Sequence, residues 1–223
     1  MLLQKGKKSL IYFFLFILVG SINNTKLSNI KFENVKNIKV SGLENIENQN
    51  LNQEIRDLNL GNIFFLKADK IEKTIDTNSL IEKYIVYKTY PSTIDIKIIR
   101  TKFLAKINSN GKLFLIGTNG KLTLNSFNKQ DLPFIFGKPQ VKEFLLLKNI
   151  IDQSKFRFEQ VENFYFFSSK RWDIELKNNI ILKLPEKNIK ESLNYVFDFL
   201  TTSNLQNIKI VDMRIKNQII IND

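Results

Sequence analysis

The sequence of 223 residues contains neither cysteine nor histidine. Without cysteine there can be no disulfide, thiolate nucleophile, zinc ribbon or iron–sulfur ligation. Without histidine the chain lacks the usual general base, the serine and cysteine triads, and most transition-metal sites. Glycine is also scarce, at eight residues, and no Walker loop, GxGxxG or GxSxG motif occurs. These absences favour a binding or scaffolding protein over an enzyme, and we expect no catalytic residue, cofactor or metal.

Basic residues are in excess, with 34 Lys and Arg against 22 Asp and Glu, for a net charge of +12. Such an excess can indicate nucleic acid or an anionic membrane surface. Here the basic residues alternate with acidic ones, and no nucleic-acid-binding motif accompanies them. The pattern is typical of a solvated surface, so we expect neither a nucleic-acid partner nor a small-molecule substrate.

The amino terminus has the pattern of an export signal. Lys5, Lys7 and Lys8 precede an apolar run over residues 10–19, and no charged residue occurs over 9–25. As a helix this uncharged stretch spans about 25 Å, slightly less than a hydrocarbon core of about 30 Å, and flanking lysines can reach the interface. The pattern predicts a cytoplasmic tail at 1–8, a transmembrane anchor at 9–25 and a tether at 26–35, with the remainder exported. A cleaved signal peptide is an equally good interpretation, because small residues follow the apolar run.

Residues 36–100 carry the pattern of a small α+β domain. A short alternating strand ends at Gly42, and two segments with apolar residues at helical spacing follow it. Two longer strands, over 80–91 and 92–100, then alternate apolar and polar residues, as expected for a sheet with one face in water. The predicted order is β-α-α-β-β.

Residues 101–223 predict a mostly antiparallel β domain with flanking helices, which makes the whole chain α+β. Asn110-Gly111 and Asn119-Gly120 are hairpin signals, because a type I′ turn needs positive φ at both central positions. Helices are predicted over 139–152 and 186–200 from the apolar spacing. Between them, Trp172 alternates in phase with Ile174 and Leu176 and is predicted to be core, while Asp173, Glu175 and Lys177 would face solvent.

The closing segment, residues 207–223, is dense in β-branched residues and ends soon after an isoleucine triplet. An exposed apolar strand edge is a template for pairing with another chain. We expect the part through Met213 to pair with the preceding hairpin, and residues 215–221 to form an edge left open for a partner.

Several segments resemble the FtsQ/DivIB family of bacterial cell-division proteins. IKVSG at 38–42, LGNIFFLKADKI at 60–71 and VYKTYPSTIDIKI at 86–98 resemble the POTRA domain that opens the family. RWDIELKNNIILKL at 171–184 resembles the tryptophan-containing hairpin of the family, and IVDMR at 210–214 resembles its VDLR motif. The resemblance covers roughly residues 5–222. Arg100 departs from the acidic residue usual in the family, and the proline that commonly follows is missing.

The resemblance implies a single-pass protein of the inner membrane, with a cytoplasmic amino terminus and a periplasmic bulk, at the division septum. It further implies a non-enzymatic scaffold that links early and late division proteins. Such a scaffold binds FtsB and FtsL, and through them regulates FtsW and FtsI in septal peptidoglycan synthesis. The partner would bind by strand addition, in which a segment of the partner pairs with an open edge of the sheet. Carried over by position, the partner-binding residues are Arg214, Ile215, Asn217, Gln218 and Ile219.

Two other interpretations stay open from the sequence. The chain could be another periplasmic POTRA-bearing module for assembly or transport, or an exported glycan hydrolase that uses carboxylates such as Asp173 and Glu175. Carboxylates two apart on a strand are more often solubilising surface groups. The aromatic residues Tyr84, Tyr87, Tyr90, Phe64 and Phe65 would form either a patch or the core and rim of a small domain.

Overall fold

The computed structural model describes residues 3–22, 33–125, 131–202, 208–215 and 218–222. Helix α1, Leu3–Ile22, comes first, and its described side chains are exposed to solvent. Across these ranges, no helix combines the length and apolarity needed to cross a membrane. The anchor expected at 9–25 stays a prediction, as does the tether at 26–35; residues 23–32 lie outside the described ranges.

The first domain has the predicted β-α-α-β-β order: β1 Asn37–Ser41, α2 Asn45–Asp57, α3 Asp69–Thr77, β2 Ile81–Thr89 and β3 Thr93–Arg100. Strand β3 is central, parallel to β1 and antiparallel to β2. Its buried face consists of Ile94, Ile96 and Ile98, and the two helices cover it with their buried residues, which are Leu51, Ile55, Ile71 and Ile75. The alternation of apolar and polar residues in the sequence therefore correctly distinguishes the face of this sheet that the helices cover from the face that is exposed to water.

Gly42 ends β1 for a steric reason. Its φ is +111°, in the region that favours glycine, and a Cβ there would lie 1.9 Å from the carbonyl oxygen of Ile98. Any other residue would force β1 away from the central strand.

In the described residues, the second domain contains one nine-stranded sheet with helices packed on it. Its strands are β4 Phe103–Ser109, β5 Lys112–Gly117, β6 Leu122–Leu124, β7 Phe134–Phe136, β8 Val161–Phe166, β9 Trp172–Leu176, β10 Ile181–Lys183, β11 Ile210–Asp212 and β12 Ile220–Asn222. Their spatial order is β12-β11-β10-β9-β8-β7-β4-β5-β6. The helices are α4, Val141–Asp152, and α5, Ile189–Thr202, with a short 3₁₀ turn at Phe158–Gln160.

Most neighbouring strands in this sheet are antiparallel, as predicted, but β4–β7, β7–β8 and β10–β11 are parallel. Parallel neighbours need a crossover connection. Helix α4 lies in the connection from β7 to β8, and α5 lies in that from β10 to β11. Both helices bury apolar residues against the sheet, including Phe144 and Val196, around the buried Trp172. The predicted core position of Trp172 is confirmed.

The two Asn-Gly turns differ in what they do. Asn110 and Gly111 both have positive φ, at 52° and 77°, and close the β4–β5 hairpin as predicted. At Asn119-Gly120, in the β5–β6 turn, only Gly120 has positive φ, at 74°, so the prediction of positive φ at both positions is wrong there. This turn instead faces the first domain. The amide nitrogen Nδ2 of Asn119 donates hydrogen bonds to the carbonyl oxygens of Ser79 and Ile81, both at 2.9 Å.

Further polar contacts join the domains beside this turn. The carboxylate of Glu82 accepts hydrogen bonds from the hydroxyls of Thr101, at 3.1 Å, and Thr118, at 2.7 Å. Lys121 donates its ammonium protons to the carbonyl oxygens of Asp76, in the last turn of α3, and of Asn78, just past its end. A lysine there also complements the negative end of the helix dipole. From the sequence, the missing proline after Arg100 instead predicts flexibility at a junction near Thr101.

Candidate partner-binding edge

The closing segment folds into a hairpin at the edge of the sheet. Strand β11 pairs in parallel with β10, and Met213 extends that pairing with a backbone hydrogen bond to Lys183 at 3.0 Å. Strand β12 then returns antiparallel to β11, with Ile220 opposite Asp212 and Asn222 opposite Ile210. The expected pairing of the first half with the preceding hairpin is confirmed.

The second half of the closing segment differs from the prediction. Of the described residues in the expected edge strand over 215–221, only Ile220 and Ile221 belong to a strand, which runs Ile220–Asn222. Because this strand is antiparallel to β11, the chain reverses direction before it. The backbone N–H of Arg214 donates to Oδ1 of Asp212 at 3.0 Å, and that of Gln218 donates to the carbonyl of Ile215 at 3.2 Å. Such local bonds compete with strand pairing and turn the chain.

Four of the five predicted contact residues therefore lie in or beside this turn. Arg214, Ile215 and Gln218 are exposed, and Ile219 is half-buried against the core. Asn217 lies outside the described residues. Strand β12 is the last in the sheet, and within the described ranges no strand pairs with its outer edge. Ile220 is 43% exposed there.

A groove of about 910 Å³ opens beside the turn that precedes β12, and its lining ends at Ile219. Its walls come from the turn after β10, from one side of α5, and from residues 213–219. The described predicted contacts Arg214, Ile215, Gln218 and Ile219 all line it, together with Arg171, Leu184, Pro185, Glu186, Lys187, Asn188, Glu191, Ser192, Tyr195 and Met213. The structure thus brings the four together around one concavity, even though they do not form a strand.

Sequence reasoning missed the other wall of this groove. Tyr195 lies on α5 between the buried Leu193 and Val196, so its exposed ring points away from the core and towards the groove. Arg171 precedes the tryptophan of β9. The sequence did offer one signal for Tyr195, because this aromatic residue is out of phase with the apolar stripe of its helix. It did not show that Tyr195 and Arg214 line the same groove, because the two residues are far apart in the chain.

A row of charged side chains runs across the sheet towards this edge. The strand register places Asp173 of β9 opposite Lys183 of β10, and Lys183 opposite Asp212 of β11. Arg214 donates from Nε to both carboxylate oxygens of Asp212, at 2.8 and 2.9 Å. This side-chain hydrogen bond is the main reason that the pKa of Asp212 lies below its usual range, and the same pairing raises the pKa of Arg214.

Asp173 contradicts the prediction that it faces water, because it is only 4% exposed. Its strand neighbours Tyr165 and Lys183, at directly opposed positions, cover it. Burial raises its pKa, although Arg171, which donates to Oδ1 from Nε at 3.3 Å, opposes that shift. The alternation correctly placed Asp173 on the face of β9 opposite to Trp172 and Ile174. It did not indicate that Asp173 would be buried on that face as well.

The carboxylate pair considered for catalysis is not in the groove. Neither Asp173 nor Glu175 lines it. Glu175 accepts hydrogen bonds from Asn163, at 2.8 Å, and from the hydroxyl of Tyr165, at 2.7 Å. Burial and this bond raise the pKa of Tyr165 to about 12. Among the described residues, no cluster of three or more acidic side chains could hold a metal ion.

The five aromatic residues of the first domain that the sequence grouped as a patch do not form one surface. Phe64 and Tyr90 are in ring contact, with centroids 4.6 Å apart. Tyr87 lies on the wet face of the sheet under the ammonium of Lys97, and Tyr84 packs against the core. The structure therefore does not join all five residues into one surface.

Comparison with known proteins agrees with this architecture. Residues 33–99 match the family model described as POTRA domain, FtsQ-type, and residues 99–214 match that of Cell division protein FtsQ/DivIB, C-terminal. Cell division protein FtsQ of Rickettsia conorii (strain ATCC VR-613 / Malish 7) is 30% identical over 193 residues, which are 82% of this chain and 70% of that protein. Cell division protein DivIB of Bacillus subtilis (strain 168) is 28% identical over 134 residues, 57% of this chain and 49% of that protein.

A POTRA domain followed by this β domain defines a class of cell-division proteins. The chain belongs to the FtsQ/DivIB family, as both family models and the similarity to the Rickettsia protein show.

Proposed function

We propose that this cell-division protein is a non-enzymatic scaffold of the inner membrane at the division septum. In this proposal residues 1–8 are a cytoplasmic tail, 9–25 the anchor and 26–35 the tether. The POTRA domain at 36–100 and the β domain at 101–223 are then periplasmic. The scaffold binds FtsB and FtsL, and through them it regulates FtsW and FtsI.

Strand addition at β12 is the proposed mechanism. The observation that carries it is an outermost strand with no described neighbour on its far side, next to a groove lined by Arg214, Ile215, Gln218 and Ile219. A partner strand laid along β12 would gain affinity from main-chain hydrogen bonds, and its side chains would gain specificity from the groove. The isoleucines of β12 supply an apolar surface that such a strand covers.

The sheet offers a matched control, because among the described strands β12 lies at one edge and β6 at the other. Ile220 and Leu124 are both exposed, at 43% and 53%, and each lies in a three-residue strand. Proline removes the backbone N–H and disturbs an edge strand. We expect Ile220→Pro to abolish capture of purified FtsB by the full chain, and Leu124→Pro to leave capture intact.

Deletion of residues 215–223 should have the same effect as Ile220→Pro. The fluorescence of Trp172, buried in the second domain, reports whether each variant keeps its core. Capture of FtsB at the wild-type level by a folded Ile220→Pro variant and by the truncated chain would refute strand addition at this edge.

A further inference from the structure

The chain enters the first domain between two loops. The backbone N–H of Val35 donates to the carbonyl of Gly61 at 2.8 Å, and that of Lys36 donates to Ser92 at 2.9 Å. Asn34 also forms a bridge with Asn62. Whatever precedes residue 33 therefore reaches the domain beside the loop at 61–66 and the turn at 89–93.

The same two loops expose three aromatic side chains. Phe64 is 49% exposed, Phe65 77% and Tyr90 55%. The ring contact between Phe64 and Tyr90 joins the loops, and Oδ1 of Asn62 accepts the backbone N–H of Phe64 at 2.9 Å. These three residues, here called the aromatic tip, form an apolar surface of the kind that marks a protein or membrane contact.

Lysines surround the aromatic tip and precede it. Lys36, Lys67 and Lys88 are exposed beside it, and Lys88 donates to the carbonyl of Leu66 at 3.0 Å. Between the proposed anchor and Glu33 the charged side chains in the sequence are both lysines, Lys26 and Lys31. Aromatic rings next to lysines are typical of the membrane–water interface, and anionic lipids attract the lysines.

The connection from α1 limits where the aromatic tip can be. Residues 23–32 separate α1 from the first described residue of the domain, and ten extended residues span at most about 35 Å. If α1 is the anchor, the loops that receive this connection are the part of the domain nearest to the bilayer. A bilayer surface is therefore the occupant that the position favours.

We infer that the aromatic tip inserts into the headgroup region of an anionic bilayer in which α1 is anchored. The inference rests on the proposed anchor. It gives the first domain a defined orientation, because the tip lies at the β2–β3 turn whereas the second domain follows the opposite end of β3. Strand β2 would then hold the second domain about 30 Å from the membrane.

Single-cysteine variants of the full chain test the inference, since the natural sequence has no cysteine. Phe65→Cys places a fluorophore at the tip. Ile46→Cys places it at the start of α2, beyond the other end of β1, at a site of similar exposure, 72%. Both chains are reconstituted into vesicles of phosphatidylglycerol and phosphatidylcholine that contain a headgroup-quencher lipid.

We expect quenching to be several-fold stronger at position 65 than at position 46, and to fall to the level of position 46 when Phe64→Ser and Tyr90→Ser are added. Equal quenching at both positions, or quenching unchanged by the added substitutions, would overturn the inference while the chain stays in the vesicle fraction. Loss of the chain from that fraction would overturn the anchor and the inference together.

Discussion

The junction between the domains should depend on one side-chain amide, that of Asn119. Its Nδ2 group donates to the carbonyls of Ser79 and Ile81, while its Oδ1 accepts the backbone N–H of Lys121 at 3.0 Å. The substitution Asn119→Asp keeps the shape and the acceptor but removes both donated bonds. It also places a carboxylate oxygen against two carbonyl oxygens.

Each lost hydrogen bond costs about 1 kcal/mol, and the repulsion adds to that, so the expected loss is about 2–3 kcal/mol. For a chain of this size such a loss lowers Tm by about 5–10 °C. The matched control is Asn110→Asp, because Asn110 is the exposed Asn of the other Asn-Gly turn. Aspartate tolerates its left-handed conformation, and we expect a Tm change of about 2 °C or less there.

Thermal unfolding of the full chain in mild detergent, followed by circular dichroism, measures both variants. Because the lost bonds join two domains with separate cores, the transition of Asn119→Asp should also broaden or divide. Equal Tm values for the two variants would refute the argument that this amide holds the domains together.

Two further predictions concern charge and backbone. Burial raises the pKa of Asp173, so the folded state holds that proton more tightly and gains stability as pH falls from 7 towards the ordinary carboxyl value of about 4. Arg214 lowers the pKa of Asp212, so its contribution is present above the ordinary value and is lost as pH falls through the lowered pKa. In urea unfolding between pH 3 and 7, Asp173→Asn should remove the acid gain, and Asp212→Asn should lower stability at neutral pH; unchanged profiles would contradict the assigned environments. Gly42→Ala should destabilise by more than about 3 kcal/mol, since a clash with Ile98 adds to an unfavourable φ, whereas Gly61→Ala, in open space at φ +67°, should cost about 1 kcal/mol. Equal costs in urea unfolding would contradict the steric argument.

The sequence by itself determined the element order and the faces of most strands. Period-two alternation identified Ile94, Ile96 and Ile98 as one face, and Trp172 as core, because a strand places successive side chains on opposite sides whatever surrounds it. The Asn-Gly signals located both turns, but positive φ at both positions, the local requirement behind the signal, occurs only at Asn110-Gly111. The missing histidine and cysteine limited the chemistry in the same direct way.

Only the tertiary structure decided what covers those faces and which distant residues meet. Asp173 is buried because β8 and β10 bring Tyr165 and Lys183 beside it, and no local pattern encodes that coverage. Asn119 joins the two domains because its side chain lies within hydrogen-bond distance of the carbonyl of Ser79 in the first domain. The closing segment turns at Arg214, where the side chain of Asp212 accepts the backbone N–H. The groove next to this turn is lined by residues as far apart in the sequence as Arg171 and Arg214, which lie more than forty positions from each other.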